Sequence, residues 1–146
     1  MISSMARQMF HTRNEQETKE IGLRLGSYCT PGSVISLRGP LGAGKTVIAK
    51  GVADALHINE AIVSPTFTLV QEYMGTMPMH HMDLYRIEGI EDFGGIGGEE
   101  LLYSDGITLI EWSEKIEELL PVHTIRVELA IEADGTRTIM IEGAEL

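Results

Sequence analysis

The sequence holds one cysteine, Cys29, and so can form no internal disulfide, which fits a reducing cytoplasm. It is also short of cations: 11 Lys and Arg stand against 22 Asp and Glu, a net charge of −11. Holding a nucleic-acid backbone requires a positive field, so autonomous RNA or DNA binding is disfavoured. No apolar run approaches the about 18 residues of a membrane helix, which excludes a span of that kind. The opening stretch MISSMARQMFHTRNEQ lacks the apolar segment of a secretory leader, and none is expected. The Cys and His residues show no zinc spacing, and no internal repeat is visible.

What remains is a chain of 146 residues, 43% hydrophobic, with 16 glycines and 5 prolines. That length suits one domain, residues 1–146, able to bury roughly 70% of its unfolded surface. Gln8–His11 reads as a short strand, with Thr12 or Asn14 as the cap of a helix over 15–28. Ile21, Leu25 and Tyr28 recur there at helical spacing. Cys29–Gly32 breaks that helix. Ser33–Arg38 is a β-branched run that stops at the glycine-rich Gly39–Gly44, and helical patterning resumes over Lys45–Leu56.

The middle of the chain reads as strands at Thr66–Tyr73 and Met77–Tyr85 joined by a turn at Gly75-Thr76. Residues 88–106 read as short helices and loops, Ile107–Ile110 as a buried strand, and Ser113–Leu120 as a short helix ended by Pro121. Ile125, Val127, Leu129 and Ile131 alternate on one face, a turn follows at Asp134-Gly135, and Ile139 and Ile141 return. The order predicts an α/β fold of the P-loop NTPase-like kind, three layers with a mixed sheet between helices.

Gly39-Pro-Leu-Gly-Ala-Gly-Lys45-Thr46 matches G-x-x-x-x-G-K-[ST], a pattern that arises by chance in roughly one chain in a few hundred of this length. Its place between a strand-like run and a helix-like one is the place a P-loop requires. Glycines let successive N–H groups turn inward around phosphate oxygens, and the following helix adds its positive end. Lys45 would reach the β- and γ-phosphates, and the Thr46 hydroxyl would ligate Mg²⁺.

Such a site also needs a carboxylate at the end of a neighbouring strand. Glu111 after Ile107–Ile110 and Asp83 after Met79–Met82 both qualify, and spacing does not divide their roles. There is no N-K-x-D segment for guanine, no ABC-type signature and no room for a nucleoside-kinase lid, so ATP is favoured. Ser64–Thr68 offers hydroxyls to a switch-like loop. His80 and His81 read as strand residues before ligands, and Tyr85 and Trp112 as packing residues before base-stacking ones. Cys29 has no basic neighbour and receives no catalytic role.

Four blocks in this order, Gly39–Thr46, Ser64–Val70 (SPTFTLV), Asp83–Arg86 (DLYR) and Leu109–Trp112 (LIEW), resemble the bacterial TsaE family, also called YjeE. The likeness runs from the helix at 15–28 to the terminal hairpin. It implies a cytoplasmic ATPase, using ATP and Mg²⁺, of tRNA threonylcarbamoyladenosine biosynthesis. The implied partners are a TsaB–TsaD-like protein assembly, with tRNA held mainly through those partners and no membrane involved.

Carried over residue by residue, the resemblance makes Gly39, Leu41, Gly42, Ala43, Gly44, Lys45 and Thr46 the nucleotide site, with Asp83 beside it. Thr46 and Glu111 would hold Mg²⁺, and the catalytic residues would be Lys45, Asp83 and Glu111, Asp83 aligning the attacking water. Thr66 and Thr68 match the switch-like loop, and Arg137 a family arginine near the nucleotide. Two positions depart: Pro40 stands where Asp is frequent, and Val47 where a second Thr is common, removing a hydroxyl contact to the α-phosphate. Two other readings of the P-loop stay open, a small-molecule kinase and a nucleotide-gated interaction module.

Overall fold

Among the described residues, seven strands form one sheet in the order β1-β7-β6-β2-β5-β4-β3. They are β1 (Gln8–Thr12), β2 (Val34–Arg38), β3 (Val70–Met74), β4 (Pro78–Asp83), β5 (Ile107–Glu111), β6 (Ile125–Ile131) and β7 (Arg137–Glu142). The computed structural model describes residues 7–63 and 69–146. The Ser64–Thr68 segment, with its switch-like Thr66 and Thr68, lies outside the described residues.

The sheet is mixed. β2 lies parallel to β5 and β6, and β4 parallel to β5, while β1–β7, β6–β7 and β3–β4 are antiparallel. Helices α1 (Glu15–Tyr28) and α2 (Lys45–Ala55) cover one face. The short helices α3 (Ile90–Gly95) and α4 (Gly98–Leu102) and a 3-10 segment, Ser113–Leu119, pack on the other. These three layers are the fold class the sequence predicts. Central β2 and β5 are apolar on both faces because both are covered: Ile35, Leu37 and Leu109 join the α1–α2 core, Val34 and Ile110 the opposite one.

Helix α1 starts where its cap chemistry starts. Asn14 accepts from Glu17 N–H at 2.8 Å, and the Glu17 carboxylate reaches back to Arg13 N–H at 2.8 Å. Its buried residues are Thr18, Ile21, Gly22, Leu25 and Gly26, whereas Tyr28, expected on that stripe, is 37% exposed. The shift follows from how closely α2 approaches. A Cβ on Gly51 would stand 2.2 Å from the Lys19 carbonyl oxygen and 2.7 Å from Gly22 Cα, so the helices meet backbone to backbone. Cys29 is buried behind them, and that burial pushes its thiol pKa up to about 11, leaving it inert.

Several boundaries differ from the sequence expectation. β3 begins at Val70 because Leu69 sits at φ 65°, outside the strand region. β4 is shorter than Met77–Tyr85 and ends at Asp83, whose carboxylate accepts the Tyr85 N–H at 3.0 Å and turns the chain. The segment after β5 is 3-10 rather than α, broken at Ile116 (φ −130°). The β6–β7 hairpin forms as expected, with Asp134 accepting from Thr136 N–H at 3.0 Å. Ile131, however, is 44% exposed, beyond the edge of the core that Leu129 reaches.

Candidate functional site

The parallel strands deliver their C-terminal ends to one rim. β2 runs out of Arg38 into Gly39–Gly44, and α2 leaves at Lys45. Gly44 holds φ 112°, a left-handed conformation that a side chain resists, and it hands the chain into the helix. Ala43 N–H closes a turn on the Pro40 carbonyl at 3.1 Å. Leu41 stands at the tip, fully in solvent.

Lys45 folds back over this loop. Its Nζ donates to the Gly39 carbonyl at 2.8 Å, lies 4.0 Å from Glu111 Oε1 and sits 5.3 Å from the centre of the Trp112 ring. Thr46 follows at the first turn of α2, half-buried. Asp83 and Glu111 are direct partners in the β4–β5 register, so the two carboxylates stand side by side at the ends of adjacent strands. Both are buried. Desolvation pushes the Asp83 carboxyl pKa up, and the nearby Glu111 charge adds to that, while the Tyr85 N–H opposes it.

The structure therefore brings together Gly39 to Thr46, Asp83 and Glu111. Tyr85 and Trp112 pack on each other, ring centres 4.9 Å apart at 60°, and Lys115 ties that corner by donating to the Tyr85 and Ile87 carbonyls. Trp112 takes φ 61°, a left-handed bend directly after Glu111. A larger depression, about 520 Å³, lies over β1 and α1 between Phe10 and Arg24 and contains none of the site residues expected from the sequence. Convergence of charged groups, not volume, marks the site.

Arg137 is expected near this loop from the resemblance alone, and His81 is not expected at the site. Arg137 donates to the Ala43 carbonyl at 3.2 Å and the Gly42 carbonyl at 3.1 Å, so it touches the back of the loop. A cavity of about 140 Å³ opens beside it, lined in part by Asn14, Thr18, Gly44 and Val47. His81, read as a strand residue, is one; its Nε2 also lies 2.7 Å from Glu111 Oε2. Alternation along β4 and β5 was the only available signal, since it places His81, Asp83 and Glu111 on one face.

The residues fit a magnesium nucleotide. Lys45 rests on a backbone acceptor that a phosphate oxygen can replace. Among the described residues no three His, Cys, Asp or Glu side chains form a ready metal cage. Mg²⁺ in nucleotide sites asks for less than a cage: one or two protein oxygens, phosphates and water.

A glycine loop between the central parallel strand and its following helix, with lysine and carboxylate at the same rim, defines a protein of the P-loop NTPase-like α/β class. The family model described as threonylcarbamoyl adenosine biosynthesis protein TsaE matches residues 12–139. A Treponema pallidum protein, tRNA threonylcarbamoyladenosine biosynthesis protein TsaE, is 43% identical over 89% of this chain and 96% of its own. The Bacillus subtilis protein of the same name is 39% identical over 89% and 82%. The crystal structure of Bacillus subtilis YdiB superposes with a TM-score of 0.80 and 32% identity, covering 99% of this chain and 90% of that one. The chain belongs to the TsaE family.

Proposed function

We propose that this chain binds and hydrolyses ATP, to ADP and phosphate, in support of threonylcarbamoyladenosine formation in tRNA. The observation that carries the reading is the meeting of Lys45, the Gly39–Gly44 loop and the Asp83–Glu111 pair at one sheet rim. In this reading the loop N–H groups bind the phosphate tail, and the Lys45 ammonium exchanges the Gly39 carbonyl for phosphate oxygens. The Thr46 hydroxyl and the Glu111 carboxylate would hold Mg²⁺, which neutralises charge on the phosphates when bound. Asp83, one strand away, orients the attacking water.

The net charge of −11 supports a division of labour in which partners hold the tRNA. We place the protein in the cytoplasm, acting with a TsaB–TsaD-like assembly; among the described residues no helix is long and apolar enough to cross a membrane. Phosphate release measured with the chain alone, and then with the two partner proteins and tRNA, tests this. The reading expects slow release alone and faster release with partners. Transfer of the phosphoryl group to a metabolite instead would make it a kinase, and binding without turnover in the full mixture would make it a nucleotide-gated module.

A further inference from the structure

Across the parallel β4–β5 pair, His81 is the register partner of Leu109 and Asp83 of Glu111. His81 is fully buried, and its Nε2 makes a 2.7 Å hydrogen bond with Glu111 Oε2. The other carboxylate oxygen, Oε1, is the one 4.0 Å from Lys45 Nζ. The second ring nitrogen, Nδ1, is buried with no partner among the described residues.

That asymmetry assigns the ring proton. A buried N–H without an acceptor is costly, and Nδ1 has none among the described residues, so a neutral ring carries its proton on Nε2, where Glu111 accepts it. Packing alone does not call for this ring. Met79, two residues earlier on the same face of β4, is fully buried, and an apolar side chain at 81 would fill its space without stranding a nitrogen. What the imidazole adds is a donor that holds one carboxylate oxygen and leaves the other facing Lys45.

We propose that His81 is a positioning residue: it fixes Glu111 from behind, so that Oε1 meets a nucleotide-bound Mg²⁺ already oriented. The inference rests on the nucleotide-site reading above. Outer partners of this kind set metal affinity through the ligand they orient, typically by 10- to 100-fold.

The test is calorimetry on the full chain: first ATP titrated in EDTA, then Mg²⁺ titrated into the protein–ATP complex. The variants are His81→Leu, which removes the donor, His81→Asn, whose amide is too short to reach Glu111, and His81→Gln, whose amide nitrogen can reach it. In Leu and Asn the Mg²⁺ concentration for half-saturation should rise about tenfold, with metal-free ATP affinity within about twofold of the parent. Gln should recover most of the metal affinity. Should Leu not fold, the Asn and Gln pair carries the comparison.

An unchanged Mg²⁺ requirement in Asn and Leu overturns the proposal. So does an equal loss in Gln and Asn, or a loss of ATP affinity that is the same with and without metal, since either marks a merely structural role. A parent chain that binds no ATP under either condition overturns the nucleotide-site reading itself, and this proposal with it.

Discussion

Arg137 grips Ala43 from outside the phosphate loop, its Nε donating to the Ala43 carbonyl at 3.2 Å across 94 residues of sequence. In a planar trans peptide the carbonyl and the next N–H point in opposite directions. Holding the Gly42 and Ala43 carbonyls outward therefore turns the Ala43 and Gly44 N–H groups away from Arg137. Replacing Arg137 by Gln should weaken nucleotide affinity about tenfold, equivalent to about 1.4 kcal/mol, with little change in Tm. Calorimetric titration with ADP measures it, and unchanged affinity would remove Arg137 from the site.

The α1–α2 contact yields a stability prediction whose sign is decided by distance. Gly51→Ala would gain about 1 kcal/mol of helix propensity on an exposed helix. Here the new Cβ would meet the Lys19 carbonyl oxygen at 2.2 Å, and the helices must part. Overpacking of backbone against backbone costs about 1–3 kcal/mol beyond that gain. Thermal unfolding should show Tm lowered by roughly 2–12 °C; a rise in Tm would mean the helices separate freely.

Asp83 links pH to stability. Its carboxyl pKa is raised from 3.8 by desolvation, so the folded chain binds the proton more tightly than the unfolded chain does. Its contribution to stability is therefore largest below the unfolded value and is lost as pH rises through the folded one. Asp83→Asn keeps an acceptor for the Tyr85 N–H and removes the buried charge. The variant should melt higher than the parent at pH 7, converge with it toward pH 4, and lose most ATP turnover. Paired melts at the two pH values check the sign.

Much of this was legible in the residues. Helical spacing over 15–28 with a cap at Thr12 or Asn14 located α1, the structure choosing Asn14, and a β-branched run breaking at Gly39 located both β2 and the loop. Elements set by tertiary contact were not legible. The 3-10 break at Ile116 arises where that side chain is buried in the core between β2 and α3, and β3 waits for a left-handed Leu69. Tyr28 yields its expected buried place where Gly22, Gly26 and Gly51 let α2 come closer. The His81–Glu111 bond spans 30 residues and the Arg137–Ala43 bond 94, and no window of local pattern contains either pair.

The most direct measurement is calorimetric titration of ATP with Mg²⁺ into the chain and into Lys45→Ala, both shown to be folded by circular dichroism. We expect one nucleotide bound per parent chain and affinity reduced at least tenfold in the variant. No binding to the parent, or equal binding to both, would contradict it.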